Sequence, residues 1–495
     1  MKLLSKMNQV SVAILAVVAL HSPMVHANQA HQTALTDTSL TLASDSIIDS
    51  INQLGNLDFQ PPSSQRFHTD DGVAVVFTPL HQLPIVDVSV NFYAGSAADE
   101  TIRDDGFGIA NMTATMLTQG AGVLDEEAFI AKKEMLGIEL GSGITKDSLS
   151  LSMRSLSNPA TLQNGTQLLT QVLSAPRFDT AVLERNKTRL ITSLKQSKQN
   201  PAYVASLAYT HALYSNHPYG HASTGDEQSV AALTRDDLQA FQKKFLTKDN
   251  AQIIITGDLS ADGAKQLANQ IAHSLPNGKS YQGTISEPAK PTARHIHIDH
   301  DSSQTQIIIG HLAPKDDSSS QARQAFSDLS LGNEILAGSD FNARLMNTIR
   351  EQKGYTYGIY GGVERLQAAG SYAIRFSTQG DKARDAIKDT LDIITDTLNN
   401  GVTTDELELV RLGNKNSFPD IFSSNASIHK TISGLAFIGY PDDHLATRLQ
   451  RLDNATLDSV NRALKDTVHP SDFIIITVGK IKPDLSDIFG TNQSK

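Results

Sequence analysis

The 495-residue chain contains no cysteine, so neither a disulfide nor a lipid-modified N-terminal cysteine is available to it. It is also short of positive charge, with 42 Lys and Arg against 53 Asp and Glu, a formal net charge of −11. Such an acidic balance is a poor match for nucleic acid or anionic lipid. Long apolar runs are missing too. The run from Val10 to Leu20 is 11 residues, well under the roughly 20 that a membrane-spanning helix needs. Preceded by Lys2 and Lys6 and followed by the small-residue exit Val25-His26-Ala27, it reads as the core of a secretory signal peptide over residues 1–27, cleaved after Ala27. Arginine is absent before Arg66, which argues against a mitochondrial transit peptide. The mature chain is therefore expected to be soluble and periplasmic, with secretion as the alternative. Losing Lys2 and Lys6 leaves 40 bases against 53 acids, or −13. Without a covalent staple, stability must come from apolar cores, and at roughly 100–200 residues per domain the length implies roughly two to four of them.

What is present repeats. Near residue 234 the chain reads TRDDLQAFQKKFLTKDNAQIIITGDLS, with Leu238, Phe241 and Phe245 at helical spacing and Ile253 to Thr256 as a buried strand. About 222 residues later TLDSVNRALKDTVHPSDFIIITVGKI has the same pattern, with Ile474 to Thr477 as the strand. At a similar offset RFDTAVLERNKTRL near 177 faces GVTTDELELVRLGN near 401, and NHPYG near 216 faces GYPDD near 439. The chain reads as a tandem duplication. Its seam falls between Gly278 and Arg294, a stretch rich in Gly, Pro and Ser with no hydrophobic period. This divides the chain into an N-terminal extension (28–55), a first domain (56–280), a linker (281–294) and a second domain (295–490). Strands are expected at 72–79, at 86–93 and, from the strict alternation of Ser148-Leu-Ser-Leu-Ser-Met-Arg154, at 148–154. Helical periodicity marks 125–136 and 180–198. This mixed order predicts an α+β class in which each half is a mostly antiparallel sheet covered by helices on one face.

One stretch carries more than a fold pattern. Residues 106–120 read GFGIANMTATMLTQG, preceded by AGSAADE (94–100) and followed by LGIELGSG (136–143) and the alternating strand. That order resembles the pitrilysin/insulinase family of metallopeptidases, whose helix bears the inverted zinc motif His-x-x-Glu-His in a setting such as GLAHFLEHMLFKGT. The resemblance places Asn111 and Thr115 at the two His positions and Ala114 at the catalytic Glu. Zinc hydrolysis needs two imidazoles on one helical face and a carboxylate to take a proton from the metal-bound water. An amide, a hydroxyl and a methyl group supply neither function. The family's further ligand, a Glu on a later helix, falls between Ile191 and Ser193, after Glu184-Arg185 and before Pro201. No acidic residue occurs between Arg185 and Gly225. The resemblance thus implies a chain that binds no zinc of its own, and the stretch from Gly108 to Gln119 reads locally as a core helix with Ile109, Met112 and Met116 inward.

The second half keeps what the first has lost. LGNEILAGSDFNARLMNTIREQKGYTYGIYGG (331–362) is similar to the family's C-terminal signature, with Arg350, Glu351, Gly354 and Tyr357 at the matching positions. In the family this Arg and Tyr reach the zinc site of another half or subunit and hold the substrate carbonyl and its developing oxyanion. A guanidinium and a phenol suit that task as donors to growing negative charge. Read without the family, Arg350 is a helix C-terminal cation and Tyr357 a strand aromatic. Heterodimeric members pair a zinc-bearing subunit with one that lacks the zinc motif but donates the Arg-Tyr pair. By resemblance this chain is that second subunit, inactive alone and assisting hydrolysis of peptides on a homologous partner's zinc.

Two other readings stand beside it. His295, His297 and His300 in HIHIDHD offer strand-spaced imidazoles that a metal could use, against a polar edge-strand face. His217 and His221 in HPYGH are four apart, but Pro218 and Gly220 argue against a helix. Alternatively the chain binds or scaffolds extended peptides without any catalytic partner, adding them to an exposed sheet edge at Leu149, Leu151 and Met153.

Overall fold

The computed structural model describes residues 60–315 and 317–488; the expected signal peptide and N-terminal extension lie outside the described residues. The first half builds a six-stranded sheet from β1 (Gln65–His68), β2 (Ala74–Pro79), β3 (Ile85–Phe92), β4 (Glu139–Ile144), β5 (Leu149–Leu156) and β6 (Ala251–Gly257), in the order β1-β2-β6-β3-β5-β4. The second builds five strands, β7 (His295–Asp299), β8 (Gln304–Ala313), β9 (Ile359–Glu364), β10 (Gly370–Gln379) and β11 (Ile474–Gly479), in the order β7-β11-β8-β10-β9. Apart from β1 the two orders correspond strand for strand. In each sheet the half's last strand pairs parallel with β2 or β7, and all other pairs are antiparallel.

Among the described residues eight helices accompany the first sheet: α1 (Ile109–Leu117), α2 (Glu126–Leu136), α3 (Pro159–Ser174), α4 (Thr180–Ser197), α5 (Pro201–Leu213), α6 (Glu227–Ala231), α7 (Arg235–Phe245) and α8 (Ala261–His273). Six belong to the second half: α9 (Ser320–Ala337), α10 (Ala383–Asn400), α11 (Thr404–Ser417), α12 (Asn425–Ile438), α13 (Arg448–Asn454) and α14 (Leu457–Thr467). The duplication extends to helix ends. Thr234 and Thr456 each start a helix with a capping box, reciprocated by Asp237 and Ser459, so the orphan N–H groups of both first turns are satisfied alike.

Each half has its own apolar core, but helices do not stay on one face, and here the expectation is corrected. In β3 the sequence IVDVSVNF alternates, and Asp87, Ser89 and Asn91 would face water if helices covered one side alone. They are only 5–6% exposed because α12, from the second half, lies across β3 and β6. His429 of α12 meets the Ser89 hydroxyl through Nε2 (2.7 Å) and the Thr256 hydroxyl through Nδ1 (3.0 Å). Asn91 Nδ2 donates to Ser433 Oγ (2.9 Å), and Gln252 Nε2 to the Ala436 carbonyl (3.2 Å). Reciprocally α5 of the first half packs on β8 and β11. There Tyr209, Leu213 and Tyr214 join Ile308, Ile474 and Ile476 in a third buried cluster. Each half thus closes the other's sheet, with a polar seam on one side and an apolar one on the other.

The polar seam makes stability depend on acid. Burial, opposed by the Asp87 carboxylate and aided to a lesser degree by Arg154, holds the His429 imidazole down to about 4. The folded state keeps it neutral where the unfolded chain, near 6.5, binds a proton. Unfolded chains therefore carry more protons between about pH 6.5 and 4, so stability falls as pH drops through that window and levels off below it. The loss attributable to His429 is about 3 kcal/mol at one pKa unit per 1.4 kcal/mol. His429→Gln should flatten the pH dependence of Tm across this window; an unchanged slope would show that the seam does not carry it.

Candidate functional site

α1 is anchored at its start by a buried carboxylate. Gly108 sits in the left-handed region at φ +95°, where a Cβ would also stand 2.8 Å from the Thr224 carbonyl oxygen. Asp99 receives the Gly108 and Ala110 N–H groups on its two oxygens, both at 2.8 Å, which satisfies the first turn without a side-chain N-cap. Burial pushes the Asp99 carboxyl up to about 8, while the two N–H donors act in the opposite direction. Ile109, Met112 and Met116 are at most 1% exposed and form the inward face expected of them.

The face that would hold zinc is brought together without donors suited to it. Asn111 and Thr115 are half-buried one turn apart, but the Thr115 hydroxyl donates back to the Asn111 carbonyl of its own helix (2.9 Å). Ala114 is buried, and its carbonyl accepts from Ser142 Oγ of β4 (2.6 Å). α4 lies alongside, with Asn186 Nδ2 3.5 Å from Met116 Sδ. From α4 the third-ligand positions contribute a half-buried Ile191 and the exposed Thr192 and Ser193. Among the described residues no three His, Asp or Glu side chains gather in a way that could hold a metal. The residues on this face do not fit a zinc ion, because none supplies an imidazole or carboxylate.

Arg350 and Tyr357 both reach solvent. Arg350 lies on a π-helical turn, Met346–Gln352, anchored through the buried Met346 and Ile349. Its guanidinium carbon is 4.6 Å from the Phe341 ring centre, and it pairs with Glu351 at 3.4 Å. Gly354, at φ +62°, reverses the chain and leads to Tyr357, which is 85% exposed. Tyr357 is in the turn before β9, so its reading as a strand aromatic is corrected. Phe341, 57% exposed, is an additional side chain beside Arg350. Sequence spacing gave no sign of it, since only the turn after Gly338 folds it over the guanidinium.

The proposed peptide edge is corrected as well. β5 is paired on both sides, with β3 and with β4, and Leu149, Leu151 and Met153 point into the core at no more than 2% exposure. Strict alternation identifies a half-buried strand but says nothing of its neighbours; the edge is β4. β7 does lie at a sheet edge. His295 Nε2 and His297 Nδ1 both engage the Thr477 hydroxyl at 2.9 Å, which places them on one face against β11. Among the described residues the buried His300 Nδ1 has no hydrogen-bond partner. The HPYGH segment forms no helix through both histidines. His217 is bound to the Ser286 carbonyl (2.8 Å), while His221 packs against Phe107 and helps line a cavity of about 820 Å³ with Tyr203, His211 and Glu227.

The duplicated sheet, the helix presenting Asn111, Ala114 and Thr115, and the turn bearing Arg350 and Tyr357 together define a peptidase-type fold whose usual zinc face carries here an amide, a methyl group and a hydroxyl. Residues 232–413 match the Peptidase M16 inactive domain family. A peptidase M16 inactive domain from Pseudomonas fluorescens, known from its crystal structure, is 32% identical, with 85% of this chain and 99% of that one covered at a TM-score of 0.79. The chain belongs to the M16 peptidase family, as an inactive homologue. The protein called non-peptidase homolog YmxG in Helicobacter pylori is 24% identical over 418 residues, 83% of this chain and 93% of that protein. A protease from Helicobacter pylori shares the fold at 15% identity and a TM-score of 0.76, covering 85% of this chain and 100% of that one.

Proposed function

We propose that this chain is the non-catalytic subunit of an exported, heterodimeric zinc metallopeptidase, binding no zinc itself. In this reading Arg350 and Tyr357 assist peptide hydrolysis at the zinc of a homologous partner subunit. The observation that carries it is the contrast between the two motifs: α1 keeps its packing residues but presents Asn111, Ala114 and Thr115, while Arg350 and Tyr357 stay accessible on an anchored turn. A tyrosine with a purely structural task would be packed, and Tyr357 is not. The signal-like residues 1–27 support a periplasmic location, with secretion as the alternative.

A second reading is a stand-alone peptide-binding or scaffolding protein, favoured by one feature. Among the described residues β4 has no strand neighbour on its outer side, and its small residues Gly141, Ser142 and Gly143 suit the close approach of a backbone that β-augmentation requires. Affinity purification of the tagged mature chain from its native compartment separates the two. The subunit reading expects a near-stoichiometric homologue bearing His-x-x-Glu-His, together with peptidase activity that EDTA removes. A chain recovered alone and inert leaves the peptide-binding reading in its place.

A further inference from the structure

Among the described residues three aromatic side chains are exposed, Phe341, Tyr357 and, at 48%, Tyr360, and all three flank Arg350 in the stretch 341–360. Rings left together in water beside two polar donors have a reason other than packing. Tyr357 has its task in the reading above. Phe341 and Tyr360 do not, and each lies against the part of the chain that presents a donor.

Phe341 is set by a short turn of its own. The Asp340 carboxylate accepts from the Asn342 backbone N–H and from the Asn342 side-chain amide, both at 2.8 Å, and the Asp340 carbonyl accepts from the Ala343 N–H (3.0 Å). Ala343, Leu345 and Met346 are buried and fix where this turn leaves the core. The result is a phenyl ring whose centre is 4.6 Å from the Arg350 guanidinium carbon. A surface arginine with nothing to lie against samples many rotamers along its stem. Stacking engages the flat face of the guanidinium and none of its N–H groups, so the fork stays available in its plane. Among the described residues the guanidinium's ion-pair partner is Glu351 at 3.4 Å, and an exposed pair at that distance restrains the fork only weakly.

Tyr360 does for the backbone what Phe341 does for a side chain. Its ring folds back over Gly358, where a Cβ would stand 2.5 Å from the Tyr360 hydroxyl and 2.8 Å from the ring carbon that bears it. On the same residue the Thr356 hydroxyl donates to the Gly358 carbonyl (2.9 Å) and accepts from the Gly358 N–H (3.1 Å). Gly358 directly follows Tyr357, so this ring and this hydroxyl hold the backbone from which the Tyr357 phenol projects. A donor that must reach another subunit stands outside its own core, and whatever steadies it is exposed as well.

On the reading of Arg350 and Tyr357 as donors at a partner's zinc site, we propose that Phe341 and Tyr360 are positioning residues, Phe341 for the Arg350 fork and Tyr360 for the turn bearing Tyr357. Both act through the donors and not on the peptide. Double-mutant cycles test this on the complex recovered with its partner, assayed on a fluorescence-quenched peptide that the unmodified complex cuts. Phe341→Leu, which keeps apolar bulk but removes the flat face, is expected to lower kcat about threefold to tenfold with KM little changed. Phe341→Tyr should retain the parent turnover. Added to Arg350→Ala, Phe341→Leu should cause no further loss, because the group it positions is gone. Tyr360→Ala should behave likewise toward Tyr357→Phe, with Tyr360→Phe at the parent level. Circular dichroism and recovery of the partner verify folding and assembly. In the chain alone, the NMR signal of the Arg350 Nε–H should show a ring-current shift that Phe341→Leu removes and Phe341→Tyr keeps; no such shift in the parent would overturn the proposal. Losses that add to those of Arg350→Ala and Tyr357→Phe, or that fall on KM, would make the rings direct peptide contacts and overturn it too. So would full turnover in Phe341→Leu and Tyr360→Ala while Arg350→Ala is impaired. Full turnover in both Arg350→Ala and Tyr357→Phe would instead overturn the donor reading, and the proposal with it.

Discussion

Gly310→Ala is expected to lower stability by about 3 kcal/mol, as overpacking of a filled core does, and to reduce Tm by roughly 5–10 °C. Gly310 lies in the middle of β8, paired with Ala373 of β10 and Ile474 of β11, directly beneath α5. An added Cβ would stand 2.3 Å from the Tyr209 hydroxyl and 2.3 Å from the Tyr372 carbonyl oxygen. The hydroxyl cannot simply turn aside, because it donates to that same carbonyl at 3.1 Å and Tyr209 is buried. Relief therefore requires α5 to lift from the second sheet and open the seam between the halves. Tyr209→Phe alone should cost about 1 kcal/mol, the worth of one buried hydrogen bond. Added to Gly310→Ala it removes one of the two clashes, so the double variant should lose less than the sum of the singles. Thermal unfolding of the four proteins decides; a Gly310→Ala protein as stable as the parent would mean that α5 is not seated as described.

On the reading proposed above, Arg350→Ala lowers kcat of the reconstituted complex by about 10²–10³-fold, the usual effect of removing one donor to a developing oxyanion. The residue is suited to a clean measurement. Its guanidinium is partly exposed, stacks on Phe341 and pairs with the half-exposed Glu351, so the folded chain should change by less than about 0.5 kcal/mol, as for most surface positions. Subunit association should persist, and KM should move less than kcat because the contact strengthens in the transition state. Tyr357→Phe should act in the same direction, since it removes only the phenolic donor from a side chain that is already 85% exposed. Arg350→Lys tests the planar fork against bare charge. Turnover unaffected by both Arg350→Ala and Tyr357→Phe would remove these residues from the reaction.

Much of this was legible in the residues. The Ile runs before Thr256 and Thr477 become the central strands β6 and β11, and Thr234 and Thr456 become matched N-caps, because local propensity and capping chemistry act within a few residues. That α1 presents Asn111, Ala114 and Thr115 and no imidazole or carboxylate could be read directly, since a residue's side-chain chemistry does not depend on the fold. The edge assignment of β5 failed for the opposite reason. Its alternation Leu149, Leu151, Met153 is the pattern of any strand with one buried face, and whether a strand borders another depends on residues brought from elsewhere. Phe341 beside Arg350 escaped because the irregular turn between them, and no regular helical or strand period, brings the two side chains together.

By itself the sequence determined the duplicated α+β architecture, the core helix where a zinc helix is usual, and the surviving Arg-Tyr turn. The helix and the turn depend on spacing within one segment, and the duplication on one pattern recurring about 222 residues later. Tertiary structure alone decided that α12 covers the polar face of β3, that α5 covers the outer face of β8 and β11, and that β4 rather than β5 lies at a sheet edge. The two helix coverings join groups more than a hundred residues apart in the chain, such as Ser89 with His429 and Tyr209 with the Tyr372 carbonyl. Hydrophobic period and capping signals carry no information about which distant face a segment will meet.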